Sequence, residues 1–327
     1  MKHNINNCFI SSVIKKDLFK SSLKKINFII DQIKKSKDPF LLSFLNQFNN
    51  YQKKEIKRLA LYHQKNFKDV IVLGTGGSSK AGRTFVQIAY RTFGRNPKFP
   101  KITFLENIDF QDFNDLFKKI NLKKTGVIVI SKSGETNETL VQFLIFLSKY
   151  KKSFQKDKIY KHFAVITKTG SSALRNLAND FSIAVIDLDN NLSGRFSAFS
   201  PVGLLPAAIS GLNINKITEG ALSLLEKSLK KQQSIPSEGA ALHYAAQNSK
   251  INISVLLTYT ERLRNFGFWH EQLIAESLGK KNKGFTPIHS MGATDQHSLL
   301  QLFLEGPKDK LITFITLKKQ KDQIKIN

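Results

Sequence analysis

Short, nearly continuous apolar runs recur through the middle of the chain, and stretches with helical spacing separate them. The runs are VIVLG (70–74), ITFLEN (102–107), GVIVIS (126–131), HFAVIT (162–167) and IAVIDL (183–188). Strands that are apolar on both faces and alternate with helices are typical of a parallel sheet covered by helices on both sides. The pattern therefore predicts an α/β fold with a doubly wound parallel sheet.

The patterns on either side of this region predict two further parts. Apolar residues at helical spacing predict an N-terminal helical arm at residues 1–65. The alternating region predicts a first domain at residues 66–213. The strand patterns NISVLLTY and LITFIT, with helices before each, predict a second and smaller α/β domain at residues 214–327.

Composition narrows the class of protein. The 327 residues are 41% hydrophobic, and no apolar run reaches the ~20 residues that cross a membrane. The single cysteine, Cys8, rules out an internal disulfide framework and suits a reducing compartment. The first residues lack the apolar core and cleavage site of a signal peptide. We therefore expect a cytoplasmic protein with no membrane partner.

The formal net charge of +26 at first suggests nucleic-acid binding. However, the lysines are scattered along the chain, arginines are few, and aromatic residues do not alternate with them. We interpret the charge as solvated surface lysine and predict no nucleic-acid partner. The positive field would still favour an anionic substrate.

A glycine-rich turn, GTGGSS (74–79), follows the first predicted strand. Its glycines, Gly77 among them, let the backbone approach a ligand, and Ser78 and Ser79 add hydroxyl donors at a helix start that favours anions. A plain strand-to-helix turn would look similar. A dinucleotide fingerprint would have glycine in place of Ser79, so a nucleotide-dependent oxidoreductase, with Glu106 as a second feature, is a further alternative.

Hydroxyl groups also crowd the end of the third predicted strand, in SKSGETNET (131–139). Ser131, Ser133 and Thr136 precede the next helix, with Lys132 between them. A simple interpretation is a helix cap completed by a nearby glutamate. Two polar loops on one parallel sheet favour a shared anion site instead, because ligands bind beyond the carboxyl ends of such strands.

These two loops resemble a known family. S-K-S-G-x-T-x-E-T is similar to the phosphosugar loop of sugar isomerase (SIS) domains, and with GTGGSS upstream the pair resembles the first domain of phosphoglucose isomerases. The resemblance implies two SIS-type three-layer α/β/α subdomains with parallel sheets, and a sugar-phosphate substrate. The residues that it implies in substrate or phosphate binding are Gly77, Ser78, Ser79, Ser131, Lys132, Ser133 and Thr136.

The stretch NNLSGRFSAFSPVG (190–203) resembles the arginine signature of the same family. Two glycines usually precede that arginine, whereas this chain has Ser193 and Gly194. Moving a proton between C1 and C2 of a sugar develops negative charge on an enediol oxygen, which a fixed guanidinium stabilises. A structural ion pair is the alternative role for Arg195.

The stretch FWHEQLIAESLGKK (268–281) resembles the catalytic-base segment of the family. Gln272 and Glu276 are four residues apart and share a helical face, which the adjacent Glu271 cannot share. A carboxylate against apolar neighbours has a raised pKa and can act as a base. The resemblance implies that Glu276 moves the proton and that Gln272 contacts substrate. A solvent-facing acid is the alternative for Glu276.

The stretch GATDQHSLLQL (292–302) resembles a bacterial isomerase segment whose histidine helps to open the sugar ring. In the family this histidine reaches the active site from the partner subunit, so the resemblance implies catalytic His297 and a homodimer. A surface or packing histidine is the plainer interpretation. The sequence shows no spacing of zinc ligands, and an arginine can carry the enediolate charge, so we predict no metal and no cofactor.

The family continues with a D-Q-x-x-V-E-x-x-K segment whose lysine assists ring opening, and this sequence ends at Asn327 without one. The second domain is therefore expected to be incomplete at its C-terminus, or the lysine to be absent. The resemblance implies isomerisation of glucose 6-phosphate to fructose 6-phosphate through a cis-enediol, in glycolysis and gluconeogenesis. A non-catalytic phosphosugar-binding protein is the alternative.

Overall fold

The structure, a computed structural model, describes residues 3–10, 13–48, 50–90, 94–230 and 234–317. The chain divides into two compact units, and each is described by itself. The larger unit is Lys37–Gly220, and the smaller unit combines Met1–Ser36 with Ala221–Asn327. The residues of the predicted N-terminal arm are thus divided between the two units.

Strands and helices alternate along much of the chain, as the apolar runs predicted. The strands are β1 (Asp69–Leu73), β2 (Lys101–Leu105), β3 (Thr125–Ile130), β4 (Phe163–Lys168), β5 (Ala184–Leu188), β6 (Ile253–Thr258), β7 (Thr286–Met291) and β8 (Lys310–Ile315). The helices are α1 (Lys16–Lys35), α2 (Pro39–Asn46), α3 (Asn50–Asn66), α4 (Lys80–Ala89), α5 (Phe110–Lys119), α6 (Asn137–Ser153), α7 (Lys156–Ile159), α8 (Ala173–Asp180), α9 (Pro201–Ile209), α10 (Ile214–Lys230), α11 (Ile235–Gln247), α12 (Arg264–Leu278) and α13 (Gln296–Glu305).

The larger unit is built on a five-stranded sheet in the order β2-β1-β3-β4-β5, in which all neighbours run parallel. Successive strand residues point to opposite faces. Val72 and Ile128 pack in a core with α3, α4 and α9, while Ile71 and Val127 pack in a second core with α5, α6 and α8. The three-layer α/β prediction is therefore confirmed in this unit.

Strand register places the two polar loops side by side. Leu73, the last residue of β1, pairs with Val129, one residue before the end of β3. Parallel strands deliver their carboxyl ends to the same edge of a sheet. The loops that follow β1 and β3 therefore leave this edge as neighbours.

The smaller unit has a three-stranded parallel sheet in the order β7-β6-β8. Phe19 of α1 shares a core with Ala241 and Ala245 of α11, Phe285 and Leu311. The prediction of a second, smaller α/β set with a parallel sheet is confirmed. No helix among the described residues is both long and apolar enough to span a bilayer.

Helix α2 and strand β7 are among the elements that the pattern of apolar positions did not predict. Helix α2 begins at Pro39 because the Asp38 side chain accepts hydrogen bonds from the amides of Phe40 and Leu41, at 2.9 and 3.2 Å. Strand β7 has the polar sequence TPIHSM, and its Pro287 suits an edge strand. The apolar run FLLSFL of α2 was thus overlooked, whereas β7 at the sheet edge has no such run.

His63 makes stability of the larger unit depend on pH. Its side chain is 1% exposed, and burial lowers its pKa to about 4 from 6.5, although a bond to the Leu59 carbonyl opposes the shift. The unfolded chain therefore binds a proton at His63 between pH 6.5 and 4 while the folded chain does not. This group alone should lower the free energy of unfolding by about 3 kcal/mol as the pH falls through that range.

We expect His63→Gln to flatten this part of the pH profile. Urea unfolding at steps between pH 7 and 4.5 would measure the slope for wild type and variant. His297→Gln is the matched control, because the side chain of His297 is exposed. Burial also lowers the pKa of His162 in the larger unit and of three histidines in the smaller unit, His243, His270 and His289, so a residual slope should persist. If the free energy of unfolding of His63→Gln depended on pH as steeply as that of wild type, His63 would not be the group responsible.

Candidate active site

The first loop makes a tight turn directly after β1. Gly76 has a φ of 54°, in the left-handed region that favours glycine. The amides of Ser78 and Ser79 donate to the carbonyl oxygens of Thr75 and Gly76, at 3.0 and 3.1 Å. The turn delivers the chain to the start of α4, where helix amides favour an anion.

The first loop touches the arginine segment, backbone against backbone. A Cβ atom built on Gly77 would lie 2.4 Å from the carbonyl carbon of Gly194 and 2.8 Å from the amide nitrogen of Arg195. Glycine is thus required at position 77, and the contact brings Arg195 to the first loop. The Arg195 guanidinium lies 4.8 Å from the centroid of the Phe196 ring. Where the family usually has glycine, Ser193 places a buried hydroxyl oxygen that has no hydrogen-bond partner.

Ser79 faces into the protein. It is 0% exposed, and its hydroxyl donates to the Glu106 carboxylate and lies 3.2 Å from the Gly76 carbonyl oxygen. Arg83, one turn further along α4, also donates to Glu106. A direct bond from Ser79 to a ligand would have to replace these contacts. Because the Glu106 carboxylate already accepts bonds from Ser79 and Arg83, it is poorly placed to bind a dinucleotide, which argues against the oxidoreductase alternative. Sequence reasoning missed Arg83. Because Arg83 follows Ser79 by four residues, the two side chains share a helical face, and this spacing could have indicated a common partner.

The second loop gathers three hydroxyls at the end of β3. The Ser131 oxygen lies 3.0 Å from that of Thr136 and 3.5 Å from that of Ser133, and Ser133 and Thr136 are 3.4 Å apart. Thr136 stands at the N-cap of α6, yet its side chain accepts no bond from the helix amides. The helix-cap interpretation therefore does not explain this cluster.

The turn after β4 holds the second loop in place. Gly134 has a φ of 69°, and a Cβ atom built on it would lie 2.2 Å from the Ser172 hydroxyl oxygen. The Gly134 carbonyl accepts a bond from the Leu174 amide at 3.0 Å, and the Glu135 carboxylate accepts one from the Ala173 amide at 2.9 Å. Glu135 thus caps α8 rather than α6, because β3 and β4 are adjacent parallel strands and the turns that follow them leave the same edge of the sheet.

Lys132 lies half-buried between these loops. Burial lowers the pKa of its ammonium group, Asp189 opposes that shift, and Lys168 adds to it. The backbones of Lys132 and Lys168 are joined by a hydrogen bond of 3.1 Å. Lys132 follows β3 and Lys168 ends the adjacent strand β4, so two positive charges lie at this edge of the sheet, where they favour an anion.

Helix α12 places the predicted base in the smaller unit. Gln272 donates through Nε2 to the Glu276 carboxylate at 2.6 Å, so these two side chains share a face. Glu271 points elsewhere and accepts a bond of 2.8 Å from the His289 amide, which ties α12 to β7. Glu276 is exposed rather than surrounded by apolar side chains, because it lies in the last turn of the helix, on the face away from Glu271.

The histidines of the smaller unit differ in their surroundings. His297 is exposed in the first turn of α13. His270 is largely buried, and burial together with the neighbouring His243 and His289 lowers its pKa to about 4. His243 and His289 lie 3.1 Å from the hydroxyls of Ser254 and Thr258. The three internal histidines thus belong to the packing of this unit.

The structure brings the predicted residues together in two sets. The larger unit joins both loops and the Arg195 segment at one sheet edge, and the smaller unit pairs Gln272 with Glu276 and carries His297 on another helix. Within the described ranges, no three His, Cys, Asp or Glu side chains are grouped so as to hold a metal ion. The catalytic and binding roles of all these residues stay predictions.

A parallel sheet with a glycine-rich loop and a hydroxyl-rich loop at neighbouring strand ends defines an α/β protein of the SIS type. The profile described as phosphoglucose isomerase matches residues 44–327. The chain belongs to the phosphoglucose isomerase family.

Known proteins resemble this chain in sequence and in structure. The chain is 37% identical over 267 residues to a probable glucose-6-phosphate isomerase of Methanococcus maripaludis, covering 81% of this chain and 60% of that protein. It is 37% identical over 256 residues to a glucose-6-phosphate isomerase of Methanocaldococcus jannaschii, covering 77% and 61%. The crystal structure of a hypothetical protein from Thermus thermophilus superposes with a TM-score of 0.84 and 27% identity, covering 96% of this chain and 75% of that one.

The chain spans about three fifths of the length of these curated relatives, at 60% and 61%. The lysine-bearing segment of the family would follow the motifs described above. Residues 318–327, the end of the present sequence, lie outside the described residues.

Proposed function

We propose that this chain provides the catalytic machinery of a glucose-6-phosphate isomerase, which interconverts glucose 6-phosphate and fructose 6-phosphate. The observation that carries the proposal is the cluster of the Ser131, Ser133 and Thr136 hydroxyls, with Lys132 beside it, at a parallel strand end. Clustered hydroxyls in a loop that also carries a lysine suit a phosphate ester. The names of the curated relatives support the particular sugar.

The proposed reaction moves one proton between neighbouring carbons. His297 exchanges a proton with the ring oxygen O5, which opens the sugar. Glu276 takes the proton from C2 as the O1 aldehyde accepts negative charge, and it returns a proton to C1 through a cis-enediol. Arg195 stabilises the enediolate oxygen, since a guanidinium is always charged and presents fixed donors. Gln272 holds the Glu276 carboxylate by the 2.6 Å bond.

The proposal includes a setting for the reaction. Because the protein belongs to this family, we expect it to act in the cytoplasm, in glycolysis and gluconeogenesis. We also expect a homodimer in which His297 serves the site of the partner subunit. The exposed position of His297 supports this arrangement, because the imidazole is accessible to a second chain. Sedimentation of the purified chain would measure its oligomeric state, and a strict monomer that is fully active would contradict the shared site.

Exchange of the C2 proton tests the proposed reaction. The purified chain is incubated with glucose 6-phosphate in D₂O, and NMR follows deuterium at C2 together with the formation of fructose 6-phosphate. Calorimetry measures binding of the same sugar in parallel. We expect binding, exchange and conversion. Binding without exchange would favour a non-catalytic phosphosugar-binding protein, and loss of all three would remove both functions.

Thr136→Val should weaken binding of the sugar phosphate. The substitution keeps the shape of the side chain but removes a hydroxyl that lies 3.0 Å from Ser131. A hydrogen bond to a charged group contributes about 1.5–3 kcal/mol, so we expect an increase in Kd of about 10- to 100-fold. Calorimetric titration with fructose 6-phosphate measures the change.

Thr139→Val is the matched control for this prediction. The Thr139 hydroxyl is buried one turn further along α6 and has no hydrogen-bond partner. Replacing an unsatisfied buried hydroxyl by a methyl group should leave the affinity unchanged and shift stability by less than about 1 kcal/mol. Equal effects of the two substitutions would contradict a specific role for Thr136.

A further inference from the structure

The first loop is connected to β2 by a charged pair that the proposed reaction does not use. Glu106 follows the last residue of β2 and accepts hydrogen bonds from the hydroxyl of Ser79 and from the guanidinium of Arg83. Ser79 is 0% exposed, whereas the side chains of Glu106 and Arg83 are 25% and 47% exposed. These three residues form one network that begins inside the protein and ends at solvent.

We propose that Glu106 is a positioning residue for the first loop and that Arg83 cancels its charge, so that the loop can receive an anionic phosphate. The inference rests on the proposed function and deepens it. It reassigns Ser79 from direct contact with substrate to support of the loop. The backbone at Gly77 and the hydroxyl of Ser78 are then left to face the ligand.

The positioning part follows from the hydrogen bonds of Ser79. Its amide donates to the Gly76 carbonyl, and its hydroxyl donates to Glu106, so both hydrogen-bond donors of one residue hold the turn. Gly77 lies inside that turn and packs on the backbone of Gly194. Fixing Ser79 therefore also fixes the contact between the first loop and the Arg195 segment.

The charge part follows from the sign of Glu106. A carboxylate beside a phosphate site would repel the substrate if it were unpaired. Arg83 lies in the first turn of α4 and bonds the same carboxylate, so the pair adds no net charge to the loop. Because Arg83 is about half-exposed, solvent and salt should screen part of this effect.

The affinities of single and double variants for a sugar phosphate distinguish charge cancellation by Arg83 from a purely structural ion pair. Arg83→Met leaves an unpaired carboxylate at the loop. Glu106→Gln removes the charge but keeps an oxygen that can accept from Ser79. If charge is what matters, the double variant should bind better than Arg83→Met alone. A structural pair would make the double variant as poor as the single one.

Calorimetric titration with fructose 6-phosphate at low and high ionic strength provides the first test. We expect Kd to rise about five- to tenfold in Arg83→Met at low salt, less at high salt, and to return to within about twofold of wild type in the double variant. Arg58→Met is the control for lost positive charge, because Arg58 is exposed on α3 and its pair with Glu55 spans 3.7 Å. An Arg83→Met variant that binds like wild type, or like the double variant, would overturn the proposal.

Hydrogen exchange provides a second test that needs no ligand. The amides of Ser78 and Ser79 should exchange about tenfold faster in Glu106→Ala than in wild type, and close to the wild-type rate in Glu106→Gln. Unchanged exchange in Glu106→Ala would overturn the positioning role. If the wild-type chain binds no sugar phosphate, the proposed function fails, while this measurement still decides whether Glu106 holds the loop.

Discussion

Glu276→Gln should reduce isomerase turnover by about 10²–10⁴-fold, the contribution typical of a positioned general base. The amide keeps the size of the side chain but cannot accept the C2 proton. Substrate affinity should change little, because the phosphate loops of the larger unit are untouched. Coupled assay and the loss of C2 exchange in D₂O measure the effect.

Glu305→Gln is a close control for this substitution. In α13, Gln301 donates to Glu305 at 2.7 Å across four residues, which repeats the geometry of Gln272 and Glu276 in α12. Removing this second exposed carboxylate should leave turnover at the wild-type level. A Glu276→Gln variant with normal turnover would refute the assignment of the base.

Gly77→Ala should have the second large effect, on both folding and binding. The new Cβ would lie 2.4 Å from the Gly194 carbonyl carbon and 2.8 Å from the Arg195 amide nitrogen. Both of these are backbone atoms and cannot rotate away as a side chain could. We expect a loss of about 2–4 kcal/mol in stability. Displacement of the Arg195 segment by even 1 Å should lower kcat/KM about 100-fold.

Gly194→Ala tests the same contact from the other side. A Cβ on Gly194 would lie 3.6 Å from the Gly77 Cα atom, which is an ordinary van der Waals distance. The free energy of unfolding of this variant should differ from that of wild type by less than about 1 kcal/mol. Thermal unfolding and titration with fructose 6-phosphate compare the two alanine variants, and equal losses would show that the close approach is not specific to Gly77.

The sequence by itself determined the architecture and the residue types of the candidate site. Continuous apolar runs such as GVIVIS can be buried only when both faces of a strand are covered, so they predicted a parallel sheet with helices on both sides. Order along the chain placed Ser78 after the first predicted strand and Ser131 after the third, and the sheet order of the structure makes these two strands neighbours. Strand β7 escaped this reasoning because an edge strand with proline and histidine carries no apolar run.

Tertiary structure alone decided which partners polar side chains take in distant parts of the chain, whereas the pairing of Gln272 with Glu276 follows from their spacing on one helix. Ser79 was predicted to contact the phosphate, but its side chain turns inward to Glu106. A glutamate of the second loop was an alternative cap for α6, but Glu135 caps α8 instead. The close approach of Gly77 to Gly194 likewise joins segments far apart in the chain. Such contacts depend on distances between strand ends, whereas local patterns report only which face of an element is buried. Hydrogen-bond partners from distant parts of the chain therefore become visible only once the sheet is assembled.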